Sequence, residues 1–549
     1  MRRFPELHLH SEWVEKTFQS LTREQKIGQV LHPCLFPNAG EDFEKVSGGV
    51  EIGGMFLFHG TREQFVSATK WLKARSQVPM IISSDLENGA GMMVKNATIF
   101  PDLMALGAAN DEELAYAMGK AAALEGRECG IHWAFGPVVD INANPHNPIT
   151  STRCLGDDPE RIARLSKAMI RGMQEHGLAA TAKHFPGGGF DDRDQHLCNT
   201  INPLSLDQWH ALSGRMFQEA IDLGVWSIMV GHISLPACDS GDGTHIQMGT
   251  PASLSDKIIN VLLRDTMGFQ GVVITDAMDM AGVTAWGKRE EIIPAAIAAG
   301  CDMILFAEVK KDFDILQAAL GDGRLTWQQL DMAVRRILAL KEVLELHENT
   351  ELPTVTDEDR KVFRQTSEAV SEKAITIVKD TRKTLPINLE KGSHVLSYHF
   401  HNDPECKIEK FDELLCNRGG EVSHFDDSDT SVFSKNFNSF EEYDAIIVNA
   451  VLCPAWGTGD IRPGGIYMRD VWALITSHHP RLILISWGSP YLGYEMPHVP
   501  CIINAYSPDE NTQRAVVKIL SGELTAVGTS PVDLEAPYYS KELVGKRYF

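Results

Sequence analysis

Between residues 54 and 306 the sequence repeats one pattern: a short apolar run, then a longer amphipathic one. The apolar runs fall at 54–58, 80–84, 132–135, 178–182, 226–230, 271–275 and 302–306. Helical periodicity fills 61–75, 112–129, 159–176, 206–223, 256–267 and 290–299. Strands that alternate with helices, without hairpins, require a parallel sheet. Six or seven such units, preceded by an irregular helical stretch at 12–47 in which Thr22 and Gln25 resemble a capping pair, predict an α/β fold of the (β/α)8 TIM-barrel type.

The pattern changes after Lys341. Residues 347–357 are polar and unperiodic and read as a linker, followed by a helix at 357–373. Strands at 395–398, 445–448, 482–486 and 501–504, some separated by helices such as 468–477 and 511–520, predict a smaller doubly wound α/β sandwich domain. The expected domains are a barrel over 1–345, a linker and helix over 346–372, and the sandwich over 373–549. No helix opens on Gly-x-Gly-x-x-Gly or a phosphate loop, which argues against a bound nucleotide. The glycine-rich 457–465 reads as a surface loop or one reaching toward the barrel mouth.

A formal net charge of -23 over 549 residues argues against a nucleic-acid or anionic-membrane partner, since both need clustered cations. A composition 43% hydrophobic can fill large cores, yet no run of apolar residues is long enough to span a bilayer. Ten scattered cysteines lack Cys-x-x-Cys spacing, and no apolar run follows the basic N-terminus, so reduced thiols and a cytoplasmic location are expected. The expected partner is small and uncharged or weakly charged.

Polar residues recur where such a barrel carries its chemistry. Asp85, Asp140, Lys183, His184, His232 and Asp276 each stand at or just after the C-terminal end of an expected strand. One strand-end Asp alone would read as a helix cap or turn former; six equivalent positions together weaken that reading. Past Lys183-His184-Phe185-Pro186 come three glycines, expected to form a mobile loop, and then Asp194 and His196, spaced for a carboxylate to orient an imidazole. An acid/base on one loop and a carboxylate at another strand end suit glycoside cleavage, with His196 protonating the leaving oxygen and Asp276 capturing or stabilising the oxocarbenium-like centre.

Several motifs carry a family resemblance. They are Lys183-His184-Phe185-Pro186-Gly187 followed by Asp194-x-His196, the segment Val272-Val273-Ile274-Thr275-Asp276-Ala277-Met278-Asp279-Met280, and Asp140-Ile141-Asn142 with Thr152-Arg153. Met229-Val230-x-His232-Ile233 and Pro251-Ala252-Ser253-Leu254-Ser255 add to them. With these the chain resembles the family 3 glycoside hydrolases, most closely their β-N-acetylglucosaminidase branch. The resemblance implies a retaining mechanism with Asp276 as nucleophile, an Asp194-His196 acid/base dyad, and Asp85, Arg153, Lys183 and His184 holding sugar hydroxyls. His232 stands between a substrate contact and a hydrogen-bonded rim histidine; Asp279 is a competing carboxylate with a structural role. No metal or other cofactor is required.

Two departures bear on specificity. Asp85-Leu86-Glu87-Asn88-Gly89-Ala90-Gly91-Met92-Met93 lacks the two arginines of the family pattern Asp-x-Glu-Gly-Gly-Arg-x-x-Arg, and Gly188-Gly189-Phe190 replaces a His/Arg-Gly-Asp. A neutral glycoside is therefore at least as well supported as an anionic muropeptide. Release of terminal β-linked N-acetylglucosamine is the leading expectation. A phosphorylase or β-glucosidase of the same chemistry, and an inactive carbohydrate-binding protein, are the alternatives.

Overall fold

The computed structural model describes residues 8–37, 43–239, 249–348, 351–428 and 437–534. Asn349 and Thr350 of the expected linker, and the N-terminal residues 1–7, lie outside the described residues. The chain divides into two compact units. One comprises Met1–Ile99, Ala115–Ile141 and Ile162–Phe363; the other comprises Phe100–Leu114, Asn142–Arg161 and Arg364–Phe549.

In the first unit the strands are β1 (Leu31–His32, resumed at Cys34–Leu35), β2 (Gly54–Leu57), β3 (Ile81–Ser84), β4 (Trp133–Ala134), β5 (Thr181–Phe185), β6 (Ser227–Val230), β7 (Val272–Thr275) and β8 (Ile304–Leu305). All pairings among them are parallel: β1 with β2, β2 with β3, β3 with β4, β5 with β6, β6 with β7, and β8 with β1. The single bridges Trp133↔Ala179 and Ile274↔Met303 join β4 to the start of β5 and β7 to the start of β8. These pairings and bridges link the eight strands in the parallel order of a TIM-barrel-like domain.

Side chains fill its interior. The indole N–H of Trp133 donates to Thr181 Oγ1 at 2.8 Å and Ser227 Oγ at 2.7 Å, so this large aromatic is buried without an orphaned donor. Strand β5 begins three residues later than its apolar run suggests, so Lys183 and His184 belong to the strand and not to the loop after it. The π-helical Lys257–Thr266 and the break at Leu212 between helices Leu206–Ala211 and Ser213–Leu223 are further local departures.

The second unit holds a six-stranded sheet: β9 (Thr376–Asp380), β10 (His394–His401), β11 (Glu421–Asp426), β12 (Ala445–Val451), β13 (Leu482–Ser486) and β14 (Cys501–Asn504). Its order is β9-β14-β13-β12-β10-β11, parallel throughout except for the antiparallel β9. The parallel part has the flavodoxin-like arrangement of a doubly wound sheet. Successive residues of β12 and β13 feed two separate cores: Ile447, Ile483 and Ile485 point into one, and Ile446, Val448, Leu482 and Leu484 into the other. Burial on both faces is why these strands read as continuous apolar runs. Among the described residues, no helix is long and apolar enough to cross a membrane.

Candidate active site

The polar residues gather at the C-terminal ends of the barrel strands. On β5, Ala182 and Phe185 pair with Ile228 and Val230 of β6, so Lys183 and His184 together oppose one residue, Met229. That extra residue is a bulge, and it overrides the alternation that would send neighbouring side chains to opposite faces. Both side chains consequently find acidic partners. Lys183 Nζ lies 3.2 Å from Asp85 Oδ1, just past β3, and 2.6 Å from the buried Glu87 Oε1. His184 Nδ1 lies 2.8 Å from Asp140 Oδ2, while Asp140 Oδ1 accepts from the backbone N–H groups of His184 and Gly188. Asp140 therefore clamps both the imidazole and the start of the glycine loop.

That loop is shaped by its glycines. Gly187 and Gly189 have φ of 116° and 90°, and a Cβ on Gly187 would stand 2.6 Å from Ser213. It leads to the dyad. Asp194 Oδ1 accepts from the His196 backbone N–H at 2.8 Å and lies 2.7 Å from His196 Nδ1; the carboxylate is fully enclosed while the imidazole is 28% exposed. With Nδ1–H held by Asp194, Nε2 is the nitrogen left for proton transfer.

Asp276 follows β7 directly. Its Oδ1 accepts from the Ala277 N–H at 2.8 Å, and its Oδ2 accepts from Gln195 Nε2 at 3.2 Å. Burial works to raise its pKa, but the imidazoles of His184, His232 and His196 outweigh that and hold it below the usual carboxylate value. The group is thus kept ionised. Because Gln195 sits between Asp194 and His196, its contact with Asp276 fixes the loop carrying both beside that carboxylate. The N–H groups of Ala281 and Gly282 also bind the carbonyls of His196 and Gln195, at 3.0 and 3.2 Å.

His232 is wholly buried with both ring nitrogens engaged: Nδ1 lies 2.8 Å from Ser253 Oγ and Nε2 donates to the Ala277 carbonyl at 2.9 Å. Burial lowers its pKa, against the opposing pull of the Asp276 charge. These contacts tie His232 to Ser253 and to Ala277, the residue after Asp276. Asp279 is exposed. Arg153 ends the short turn Ser151–Arg153 and belongs to the second unit.

Sequence reasoning did not single out Glu87 or Gln195. Glu87 stood in the family segment, which was weighed only for its missing arginines. Gln195 carried no signal beyond its place between the two dyad residues.

Residues 22–340 match the family described as the Glycosyl hydrolase family 3 N terminal domain. A beta-N-acetylglucosaminidase/beta-glucosidase of Cellulomonas fimi is 32% identical over 547 residues, 95% of each chain. The beta-glucoside phosphorylase BglX bound to 2FGlc superposes with a TM-score of 0.88 at 30% identity, covering 97% of each chain. A glycoside hydrolase family 3 beta-N-acetylglucosaminidase from Paenibacillus sp. str. FPU-7 has a TM-score of 0.81 at 27% identity, covering 94% of this chain and 99% of the other. The chain belongs to glycosyl hydrolase family 3. It is a glycosidase acting on a carbohydrate, built as a TIM barrel followed by an α/β sandwich.

Proposed function

We propose that the protein is a retaining β-N-acetylglucosaminidase working through a glycosyl-Asp276 intermediate. The observation that carries this reading is the ionised Asp276 held beside the Asp194-His196 dyad by Gln195. Asp276 attacks the anomeric carbon as His196 delivers its Nε2 proton to the departing oxygen; the resulting neutral imidazole then takes a proton from water, which displaces Asp276. Asp194 orients the imidazole throughout. Asp85, Lys183 and His184 bind sugar hydroxyls, with Arg153 as a further candidate for that role, and His232 acts as a positioning residue. Kinship with enzymes named for N-acetylglucosamine supports the substrate class.

A second reading has specific support in the likeness to a beta-glucoside phosphorylase. A neutral imidazole repels phosphate less than a carboxylate acid/base would, so phosphate could replace water in the second step. Ten cysteines scattered without Cys-x-x-Cys spacing support a cytoplasmic location, where phosphate is plentiful.

Product analysis on nitrophenyl β-N-acetylglucosaminide and β-glucoside, with and without phosphate, tests both readings. Free N-acetylglucosamine regardless of phosphate is the expected result; sugar 1-phosphate as the main product establishes phosphorolysis. Asp276→Ala is expected to abolish release, and His196→Ala to lower kcat/KM about 10²–10⁴-fold. Undiminished release by Asp276→Ala overturns the proposal.

A further inference from the structure

Three side chains of the second unit, none used in glycoside cleavage, converge from three elements. His399 lies on β10, His424 on β11 and Asp412 in the first turn of helix Phe411–Cys416. In the β10–β11 register His424 stands opposite Ser397, two residues before His399, so both imidazoles emerge on the same face of the sheet. The helix packs on that face, with the Phe411 ring 6.4 Å from that of His399.

Their ligand atoms all lie within 4.8 Å of one another. His399 Nε2 is 3.4 Å from Asp412 Oδ1, and His424 Nδ1 is 2.7 Å from Asp412 Oδ2. Donors bound at about 2.1 Å around a tetrahedral ion stand about 3.4 Å apart, so a small closure places all three on one cation. Two further observations favour an ion over a simple hydrogen-bonded triad. Among the described residues Asp412 Oδ1 is buried and makes no hydrogen bond, although His399 Nε2 stands 3.4 Å away, itself 2.9 Å from Ser397 Oγ. Behind His424, Asp426 Oδ2 lies 3.9 Å from Nε2, where a carboxylate can orient a ligating imidazole.

We propose that His399, Asp412 and His424 form a site for a divalent transition metal of the zinc type. Two imidazoles and a carboxylate suit zinc better than calcium or magnesium, and one coordination position is left for water. Among the described residues, strand β11 is at the edge of the sheet and pairs only with β10. The ion would tie that edge strand to its neighbour and to the helix above, a structural role separate from catalysis.

The test is calorimetric titration of the chelator-treated full-length protein with zinc chloride, with thermal unfolding recorded in parallel. The expected result is one equivalent bound and a raised Tm, with His424→Gln and His399→Gln each weakening binding at least about tenfold. His424 is half exposed, so its substitution is expected to leave the fold and the glycosidase activity unchanged. Absence of a bound equivalent, binding unaffected by either substitution, or loss of zinc only in His196→Gln would overturn the proposal.

Discussion

Lys183 illustrates how much of the site depends on charges that water cannot reach. Its side chain is 4% exposed and that of Glu87 is 5% exposed, and the ammonium lies between Glu87 and Asp85. Removing one member of a buried pair strands the other, a loss of about 3–5 kcal/mol. Asp85 remains as a second counter-charge in Glu87→Gln, so the lower end of that range is expected, with a rise in KM as Lys183 loses its fixed position. Denaturant unfolding and steady-state kinetics on one preparation check both effects; unchanged stability and KM would refute this role for Glu87. Lys183, His184, Asp194, His196 and Asp276 were legible in the sequence because each is a chemically conspicuous residue at a strand end or in a loop. Glu87 and Gln195 were not, since their roles exist only once separate segments have been brought together.

Among the elements, the ones that followed simple burial were the easiest to anticipate. Strands β7, β13 and β14 sit where their apolar runs do, because both faces are covered. Edge strand β11, Glu-Val-Ser-His-Phe-Asp, is polar and half exposed and gave no such signal, and β5 slid three residues because its bulge accommodates Lys183 and His184 among the paired residues. In the glycine loop Gly188 is bonded to Asp140, while Gly187 and Gly189 occupy backbone conformations that side chains resist. Gly187→Ala would add about 1–2 kcal/mol of backbone strain and bring its Cβ against Ser213. The expected outcome is a lower Tm together with reduced kcat, since the same loop carries the dyad. An Ala variant with wild-type Tm and kcat would show that this turn does not constrain His196.

On the scale of the whole barrel, stability and catalysis are assigned to opposite ends. Asp85 and Asp276 follow the C-terminal ends of their strands, whereas Gln29 precedes β1 and accepts from the fully buried Lys341 at 2.5 Å. Burial depresses Lys341 from 10.5 to about 7. Burial, aided by the Lys341 charge, also depresses His32 from 6.5 to about 3. Both shifts have the same sign: between the folded and unfolded pKa values the unfolded chain binds the extra proton, so stability increases with pH. His32 contributes that rise between about pH 3 and 6.5, and Lys341 between about pH 7 and 10.5. Lys341→Met removes the second contribution. It leaves Gln29 Oε1 without its donor, a loss of about 1–3 kcal/mol at every pH, but it also removes a buried ammonium that opposes folding by a few kcal/mol below pH 7. The variant is therefore expected to gain on the wild type as pH falls from 9.5 to 6.5, measured as the difference in unfolding free energy at the two values. A difference that stays constant across that interval would mean that Lys341 keeps its proton in the folded barrel, satisfied by its surroundings.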